Sequence, residues 1–422
     1  MCPPVAKKTL NSESVSKAEI LNVSEVRKDF PILKTGIVYL DSTASSLTPE
    51  PVLERMLEFY RDYRANVERG VHRLSIRASE EYEGVRKKVA DFINAKSTSE
   101  IIMTRNTTEG INLVASGLNW KKGDKIVTSV LEHHSNYIVW LRVRDKHGVK
   151  LEVVWPRKPM IKGILDPSDF EKMIDDKTKL VAVAHVSNVL GVIQPVNEIA
   201  KIAHEHGAYL LIDGAQSVPH LKVDVQKIGC DFLAFSGHKM CAPTGTGVLY
   251  IQRDIAEEVE PLVIGGGSIQ DVDIDSYKLD ASPRRFEGGT PDIAGVIGLG
   301  AAVDYLTKIG MDKIEAYDKM LVKRICNGLT ALSKVEVYGP EPKRRVGIIP
   351  FNIGELNPHD VALALDVSAN IMVRSGHHCA LPLSKNVICK PGTVRASCYF
   401  YNTLNEINQL VSAVKEIADT MT

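Results

Sequence analysis

Long apolar runs and an excess of one charge are both missing from this sequence of 422 residues. The longest apolar stretches, such as residues 180–186 and 294–303, are shorter than the ~18 residues that indicate a membrane-spanning helix. The 52 basic residues are balanced by 52 acidic ones, so charge indicates neither a nucleic-acid surface nor a membrane patch. We therefore expect a soluble protein that binds no nucleic acid and no membrane.

Cysteine is sparse, and no two cysteines have the Cys-x-x-Cys spacing. Their number, seven, is odd, which in so long a chain argues against a disulfide framework and favours free thiols. Residues 1–16 are polar and lack the apolar core and small-residue cleavage site of a secretory signal. The cytoplasm is therefore the expected location. The cysteines are Cys2, Cys230, Cys241, Cys326, Cys379, Cys389 and Cys398.

Short apolar runs alternate with helical patterns between about residues 101 and 251, which is typical of a βαβ sheet covered on both faces. The predicted strands are 101–103, 125–129, 151–155, 180–185, 209–213, 231–236 and 247–251. The predicted helices include 109–116, 136–146, 167–174 and 196–206. Ligands of such α/β sheets bind at the carboxyl ends of the strands, where Asp213 and Lys239 lie.

The rest of the chain predicts a second, smaller αβ segment. A Gly-, Pro- and Asp-rich stretch over 265–291 is expected to leave the sheet, and a long apolar helix over 294–308 follows it. From Met311 onward, strands are predicted at 335–338 and 347–351, and a closing helix at 404–420. We expect the domain boundary inside the apolar helix, near Tyr305.

Lys239 follows one of the predicted strands and is preceded by Ser236, Gly237 and His238. A lysine in this place can bind pyridoxal phosphate (PLP) covalently, provided that a carboxylate, a phosphate site and a ring-stacking side chain lie in the same domain. Asp213 ends another strand and offers the carboxylate, which would keep the pyridine nitrogen protonated. The alternative is that Asp213 only caps a turn at the end of the strand. For Asp213 taken alone, this alternative is the more common role.

A phosphate site is indicated where Thr107 and Thr108 follow a strand and open a helix. Hydroxyls and free backbone N–H groups converge at such a point. A threonine N-cap with no ligand is the commoner alternative. Ser236 and His238 offer further donors, and three separate donor sites together favour the phosphate.

His133 follows the strand that ends near Ser129, where its imidazole could lie flat against a pyridine ring. The adjacent His133 and His134 are alternatively candidate metal ligands. Neighbouring side chains diverge, however, and the sequence has no HExxH spacing. We therefore expect no metal site.

Seven short segments together carry a resemblance to a known family. Arg-Asn-Thr-Thr-Glu-Gly-Ile-Asn (105–112), Glu-His-His-Ser-Asn (132–136), His-Val-Ser-Asn-Val-Leu-Gly (185–191), Asp-Gly-Ala-Gln (213–216) and Ser-Gly-His-Lys (236–239) resemble the class V, fold-type I PLP enzymes. With Arg-Ser-Gly-His-His-Cys-Ala (374–380) and Val-Arg-Ala-Ser (394–397), the chain resembles a group II cysteine desulfurase of the SufS type, a group with selenocysteine-lyase-like members. The match runs in the expected order from about Val26 to the C-terminus.

The resemblance implies an α/β fold, that of the fold-type I PLP-dependent transferases, in two domains. Residues 37–304 would form the large PLP-binding domain, whose mostly parallel mixed sheet is covered by helices. Residues 305–422 would form a smaller C-terminal α/β domain that carries the sulfur-acceptor cysteine loop. Residues 21–36 would be an N-terminal helix packed with the small domain, and 1–20 an N-terminal segment for which flexibility is one interpretation.

The resemblance also implies roles in the cofactor site. Lys239 would bind PLP covalently, Asp213 would contact the pyridine nitrogen and His133 would stack on the ring. Gln216 would hydrogen-bond the ring O3′, and Asn188 would lie near the ring and the substrate. The phosphate would be bound by Thr107, Thr108, Ser236, His238 and, across a dimer interface, Thr290.

For the substrate, the resemblance implies that Arg395 binds the carboxylate, that Arg374 lies nearby and that Cys379 accepts the sulfur. The planar fork of Arg395 suits a carboxylate, although a surface salt bridge is the ordinary alternative. Gly376 and Pro382 flank Cys379 and indicate a loop. The positive charge of Arg374 favours the thiolate form of Cys379. The alternative is that Cys379 is a small buried hydrophobic residue, which is the commonest role of a free cysteine.

We therefore predict an enzyme that uses PLP to convert L-cysteine, or L-selenocysteine, to L-alanine, with Lys239, Cys379 and His133 as catalytic residues. The sulfur would be carried as a persulfide on Cys379 for uses such as iron–sulfur cluster assembly. A homodimer and a sulfur-acceptor or scaffold protein are the expected partners. The alternatives are a selenocysteine lyase, a class V aminotransferase, which needs no cysteine nucleophile, and a non-catalytic subunit that has kept the fold.

The chain departs from the family pattern in two places. Glu68-Arg69-Gly70 occupies a position where the family often has His-Arg-Gly, which leaves open a contact from that loop to the substrate. The stretch 265–291 is somewhat shorter than in relatives. This difference leaves open how a sulfur-acceptor protein docks, but it does not affect the reaction in the cavity.

Overall fold

The computed structural model describes residues 21 to 421, so the predicted segment 1–20, with Cys2, lies outside the described residues. The helices are α1 (Val23–Val26), α2 (Glu50–Asp62), α3 (Arg73–Phe92), α4 (Thr107–Gly117), α5 (Ile138–His147), α6 (Pro167–Glu171), α7 (Val196–Glu205), α8 (Val225–Ile228), α9 (Ile293–Ile309), α10 (Met311–Thr330), α11 (Pro358–Ala369), α12 (Leu381–Leu383) and α13 (Leu404–Thr420). The strands are β1 (Val38–Tyr39), β2 (Ile101–Thr104), β3 (Lys125–Ser129), β4 (Lys150–Val154), β5 (Thr178–Ala184), β6 (Tyr209–Asp213), β7 (Phe232–Ser236), β8 (Gly247–Ile251), β9 (Ile269–Val272), β10 (Tyr277–Leu279), β11 (Val335–Val337), β12 (Ile348–Ile353), β13 (Ile371–Met372), β14 (Arg374–Gly376) and β15 (Thr393–Ser397).

A seven-stranded sheet forms the centre of the larger layered unit. Its strand order is β2-β8-β7-β6-β5-β3-β4, and β8 is antiparallel to both of its neighbours while the other pairs are parallel. Every residue of β3, β6 from Leu210 onward, β7 and β8 is buried, as expected for strands covered on both faces. The predicted α/β fold with a mostly parallel mixed sheet is confirmed.

Most predicted elements lie within a few residues of their predicted bounds. Strands β3, β6 and β8 have the predicted ends, as does helix α13. Helix α6 ends at Glu171, three residues early, because the amides of Met173 and Ile174 both donate to the Phe170 carbonyl in a tight turn. Helix α5 begins at Ile138 because residues 134–136 form a separate 3₁₀ turn.

A second, smaller sheet has the order β11-β12-β15-β14 and is antiparallel throughout. It shares a hydrophobic core with α10, α11 and α13. The N-terminal strand β1 also pairs with β13, and Val38 of β1 and Leu40 just after it are buried in this core. The smaller α/β unit of the prediction is therefore present, and the division at residue 305 stays a prediction.

The segment before β1 is not a single helix. The four-residue α1 is followed by 3₁₀ turns at Arg27–Asp29 and Pro31–Thr35. Proline lacks an amide hydrogen, so Pro31 begins a new turn rather than continuing the old one. Phe30 is fully buried and packs against the rings of Tyr305, Phe400 and Tyr401.

Over residues 21–421, no individual helix combines the length and the apolar character needed to cross a membrane. By length and composition alone, the bent pair Ile293–Ile309 and Met311–Thr330, with 74° between its two helices, passes the same test.

Candidate active site

One cavity of about 360 Å³ collects nearly all of the predicted site residues. It is lined by Thr107, Thr108, His133, Asn188, Asp213, Gln216, Ser236, His238, Lys239, Arg374, Cys379 and Arg395. Thr290 is the exception: it is exposed and lies against other cavities of the same chain, ahead of α9. Glu68 is likewise absent from the lining, and its amide donates to Ser79 Oγ.

The parallel strands bring these side chains together, because β2, β3, β5, β6 and β7 all end at the same edge of the sheet. At the β2 end the backbone packs tightly. A Cβ on Gly247 of β8 would lie 2.7 Å from the Asn106 Cα, so no larger side chain fits without moving the start of α4. The sheet thus fixes the position of the α4 N-terminus.

Lys239 and Asp213 form an oppositely charged pair on the floor of the cavity. Burial lowers the pKa of the Lys239 amine, and the Asp213 charge acts in the opposite direction. Burial raises the pKa of Asp213, and the charge of Lys239 opposes that shift. Asp213 Oδ1 accepts from the Ala215 amide at 2.9 Å, whereas the Lys239 amine makes no hydrogen bond to any described residue. Lys239 is therefore a lysine that can exchange its proton more readily than a solvated one.

His133 presents a neutral imidazole to the cavity. Burial lowers its pKa to about 3, assisted by the positive charges of Lys239, His134 and Arg395. Its Nδ1 accepts the Ser135 backbone N–H at 3.1 Å, so the ring proton of the neutral form is on Nε2. A neutral, oriented ring of this kind is suited to stacking on another ring.

Glu132, just before His133, holds that loop from behind. It is 1% exposed, and burial raises its pKa to about 8. Ser129 Oγ donates to Glu132 Oε1 at 2.5 Å, and Asn136 Nδ2 donates to Oε2 at 2.6 Å. Glu132 therefore connects the end of β3 to the turn before α5.

The start of α4 lines the cavity through Thr107 and Thr108. Asn106 caps this helix by accepting from the Glu109 amide, and the Thr107 amide donates to Ser236 Oγ at 2.8 Å. Burial, with the charge of Lys239, lowers the pKa of His238 to about 4. The hydroxyls and helix amides here match the needs of a phosphate group.

Arg374 and Arg395 also line the cavity, and both pair with Asp41, which does not line it. Arg395 is 3% exposed, donates through Nη1 to the Asn188 carbonyl at 2.9 Å and pairs through Nη2 with Asp41 Oδ1 at 3.3 Å. Arg374 pairs with Asp41 Oδ2 at 2.9 Å. Burial lowers the pKa of Arg395 to about 10, so it keeps its charge at neutral pH. Its Nε is buried and has no hydrogen-bond partner among the described residues.

Cys379 is an exposed free thiol on the loop between β14 and α12. The backbone there has left-handed conformations, with φ of 51° at His378 and 55° at Cys379. His134 secures the loop: its amide donates to the Cys379 carbonyl at 2.7 Å, and its Nε2 accepts from the Leu381 amide at 3.0 Å. Asn188 Nδ2 also donates to the His378 carbonyl at 2.7 Å. These contacts place Cys379 at the cavity, as the sequence predicted.

Sequence reasoning missed four contributors to this site, namely Asp41, Thr43, Glu132 and His134. Asp41 and Thr43 follow β1, whose two residues are too short a run to stand out by pattern. The Thr43 carbonyl accepts from Gln216 Nε2 at 3.0 Å, and its buried Oγ1 has no partner among the described residues. Glu132 and His134 lie inside a quoted motif, but only the fold shows what they contact.

Most of the chain matches a known protein family. The model of the family described as aminotransferase class V matches residues 38–410. The chain belongs to that family. This confirms the predicted family and fold type.

The relatives carry a common name. A protein of Pyrococcus abyssi named "Probable cysteine desulfurase" is 51% identical over 401 residues, covering 94% of this chain and 98% of the relative. The apo structure of cysteine desulfurase from Thermococcus onnurineus NA1 has a TM-score of 0.90 and 51% identity, covering 94% of this chain and 98% of that one. The structure of the cysteine desulfurase CsdA (S-sulfonic acid) from Escherichia coli has a TM-score of 0.88 and 33% identity, and the match covers 95% of this chain and 99% of that one.

Proposed function

We propose that this protein is a PLP-dependent cysteine desulfurase that converts L-cysteine to L-alanine and takes up the sulfur as a persulfide on Cys379. One observation carries the proposal: an exposed free cysteine lines the same cavity as Lys239, Asp213 and Arg395. An aminotransferase would need the lysine, the carboxylate and the arginine but not the thiol. The names of the close relatives support the same activity.

The residues present fit PLP. Bound PLP supplies an electron sink that stabilises negative charge on the substrate Cα. Lys239 would bind it covalently, Asp213 would pair with the pyridine nitrogen, His133 would stack on the ring, and Gln216 and Asn188 would contact its edge. The donors for its phosphate are Thr107, Thr108, Ser236 and His238. The buried Thr43 hydroxyl and Arg395 Nε, which have no hydrogen-bond partner among the described residues, are consistent with a site built for an added group.

Lys239 moves protons on the substrate carbon atoms. Burial lowers the pKa of its amine, so the neutral form that accepts a proton is more accessible than in a solvated lysine. His133, with its pKa of about 3, stays neutral and does not compete for these protons. Lys239 is therefore the proton-transfer group that we assign to the reacting carbon.

Arg395 binds the substrate carboxylate. Its guanidinium is buried and charged, and its Nη1 is already oriented by the Asn188 carbonyl at 2.9 Å. Its unpartnered Nε leaves a donor for an added acceptor. Arg374, half exposed beside it, adds positive charge at the cavity mouth.

Cys379 takes the sulfur. Its thiolate attacks the substrate Sγ, so that a new S–S bond forms while the Cβ–Sγ bond breaks and a proton is delivered to Cβ. L-cysteine and one protein thiol thereby give L-alanine and one persulfide, without an external oxidant or reductant. The exposed position of Cys379 leaves the persulfide accessible to an acceptor protein, such as one that serves iron–sulfur cluster assembly.

We further propose a homodimer in which Thr290 reaches the phosphate of the neighbouring subunit. Within one subunit Thr290 is exposed and outside the cavity. It shares another cavity with Tyr60, and exposed apolar side chains on the same helical face, Leu53 and Leu57, offer a contact surface. The cytoplasmic location stays a prediction.

The test is turnover of L-cysteine and of L-selenocysteine by the purified, PLP-loaded protein, with alanine and protein-bound persulfide both quantified. Cys379→Ser should retain the cofactor spectrum and lose persulfide formation from cysteine, whereas Cys389→Ser, another exposed thiol outside the cavity, should behave as the parent does. Undiminished sulfide release by Cys379→Ser would point to a lyase without a protein nucleophile. Keto-acid-dependent turnover in that variant would point to an aminotransferase.

A further inference from the structure

Arg86 and Glu287 form a buried ion pair, and neither of them lines the candidate active-site cavity. Arg86 Nη1 lies 2.8 Å from Glu287 Oε1 and Nη2 lies 3.0 Å from Oε2, so two parallel hydrogen bonds join the guanidinium to the carboxylate. The Arg86 side chain is 3% exposed and that of Glu287 is 10% exposed. The two residues are 201 positions apart, so the pair fixes how α3 lies against the segment before α9.

The same two side chains bind the free edge of β2. This strand is at one end of the seven-stranded order and pairs with β8 on its other side. Backbone groups on the open side of an edge strand need partners from elsewhere. The Met103 amide donates to Glu287 Oε1 at 2.6 Å, and Arg86 Nη1 donates to the Ile101 carbonyl at 2.7 Å. Arg86 and Glu287 therefore bind β2 as a neighbouring strand would.

Glu287 is also the anchor of a short segment, because it is followed by Gly288, Gly289 and Thr290. Three extended residues span at most ~11 Å, so the fixed Glu287 limits how far Thr290 can move. Glycine backbones are permissive, and Gly289 has a φ of 89°, so the two glycines by themselves would not hold Thr290 in one place. Beyond Thr290, the Asp292 side chain caps α9. Thr290 therefore lies on a short segment that is held at both ends.

The edge strand connects this anchor to the phosphate donors of the same subunit. β2 leads directly to the start of α4, where Thr107 and Thr108 line the cavity. The strand that places these two hydroxyls is thus bonded to the residue that leads to Thr290.

We propose that Arg86 and Glu287 are positioning residues, which hold Thr290 beside β2 so that its hydroxyl reaches the cofactor phosphate of the neighbouring subunit. Both act through Thr290. The inference rests on the proposed function and its homodimer, because it states how the shared part of the site is held in place.

Cofactor affinity of the full-length dimer tests the inference without turnover. Glu287→Gln keeps the length of the side chain but removes its charge and one of the two oxygens that pair with Arg86, so the segment before Thr290 should loosen. The dissociation constant of PLP, titrated through the visible absorption of the lysine-bound cofactor, should rise about tenfold, the loss expected for one hydrogen bond to a charged group. Asp91→Asn, which also turns a paired carboxylate of α3 into an amide, is the control and should leave the constant unchanged.

Mixed dimers separate a role in the neighbouring site from a structural role within one subunit. In the first mixed dimer, one subunit has Glu287→Gln and the other has Lys239→Ala. Only the Glu287→Gln subunit can bind PLP covalently there, and the Thr290 that reaches it comes from a subunit with an intact anchor, so the affinity should equal that of the parent. In the second mixed dimer, both changes are in one subunit, and the intact Lys239 site should bind PLP as weakly as Glu287→Gln does.

Two further variants test whether the effect passes through Thr290. Adding Glu287→Gln to Thr290→Val should raise the dissociation constant no further, because both changes remove the same hydrogen bond. Arg86→Lys keeps the positive charge but cannot form two parallel hydrogen bonds, so it should give the same pattern as Glu287→Gln. It decides the question if Glu287→Gln does not fold.

An unchanged dissociation constant in both Glu287→Gln and Arg86→Lys would overturn the inference. So would weakened binding in the first mixed dimer, which would show that the pair supports its own subunit's site. If Thr290→Val itself leaves PLP affinity unchanged, the shared site is wrong and this inference falls with it. Failure of the parent protein to form alanine from L-cysteine would overturn the proposed activity instead, since PLP affinity is read independently of turnover.

Discussion

Lys239 and Asp213 show how burial changes what a residue can do. Both groups line one cavity. Burial raises the pKa of Asp213 and lowers that of Lys239, which favours the neutral form of each, while the attraction between their charges opposes both shifts. A solvated lysine would be protonated throughout the neutral range and would be a poor base. The buried position makes Lys239 the group best suited to covalent binding of a carbonyl cofactor.

Lys239→Ala should abolish both turnover and covalent attachment of PLP. No other lysine lines the cavity in the part of the chain that the structure describes. Borohydride reduction followed by peptide mass analysis is the measurement, and Lys385→Ala, at an exposed position of the π-helix Ser384–Ile388, is the matched control. A reducible adduct at a different lysine in Lys239→Ala would contradict the assignment.

His134→Ala should slow persulfide formation about 10- to 100-fold while leaving the cofactor spectrum unchanged. Its ring accepts from the Leu381 amide at 3.0 Å, so its removal frees the Cys379 loop, and a displacement near 1 Å can cost a factor of this size. Single-turnover measurement of persulfide gives the rate. His147→Ala, at the end of α5, is the control; equal rates in the two variants would argue against a positioning role.

At the scale of elements, the loop between β3 and α5 depends on a carboxyl group that is most stable when protonated. Glu132 is buried and has a pKa of about 8 in the folded protein. In the unfolded chain a glutamate has a pKa of ~4.3. The folded state therefore binds more protons than the unfolded state between these values.

The sign of the pH dependence follows from that difference. Because the folded pKa is raised, the stabilisation by protonated Glu132 is full below pH ~4.3 and is lost as pH rises through about 8. Glu132→Gln should therefore flatten the fall in unfolding free energy between pH 5 and pH 8. Urea titrations of both proteins at several pH values test this, and parallel slopes would contradict it.

Strand β8 presses against the start of α4 through a position that tolerates only glycine. Gly247→Ala would place a Cβ 2.7 Å from the Asn106 Cα, and overpacking of this kind costs ~1–3 kcal/mol. The variant should unfold at lower urea and retain PLP less tightly, since Thr107 and Thr108 follow Asn106 directly. Gly84→Ala, with no atom within 4 Å of the added Cβ, is the control and should not weaken PLP retention.

At the scale of the molecule, the site draws on both hydrophobic cores. The small-core residues Val38 and Leu40 lead directly into Asp41, while Asp213 and Lys239 belong to the large sheet. A buried hydrogen bond between His220 and Asp318 also joins the segment after β6 to α10. A change in how the two cores pack would therefore separate the arginines from the floor of the cavity.

Sedimentation of the PLP-loaded protein should show a homodimer. Thr290→Val should lower PLP affinity by about tenfold, if its hydroxyl donates to the phosphate of the neighbouring subunit, without dissociating the dimer. Thr35→Val, on the 3₁₀ turn before β1, is the control. A fully active monomer with PLP bound would rule out the shared site and leave Thr290 as a residue of the turn ahead of Pro291.

The sequence by itself determined the α/β fold and most of the cavity lining. Apolar runs of strand length alternate with helical patterns, and polar residues that follow parallel strands must meet at one sheet edge. That rule alone brings Thr107, His133, Asp213 and Lys239 together, and the resemblance of whole motifs added Arg395 and Cys379. These assignments depend on local patterns, which a single sequence contains.

Only the tertiary structure decided which groups pair across the chain. Asp41 and Arg395 are 354 residues apart, and His134 and Leu381 are 247 apart, yet each pair is in contact. No local pattern carries such a pairing, because it depends on how the small sheet and β1 pack beside the large one. Burial, too, is a property of the folded molecule, and it is the largest cause of the shifted pKa values of Lys239, His133 and Glu132.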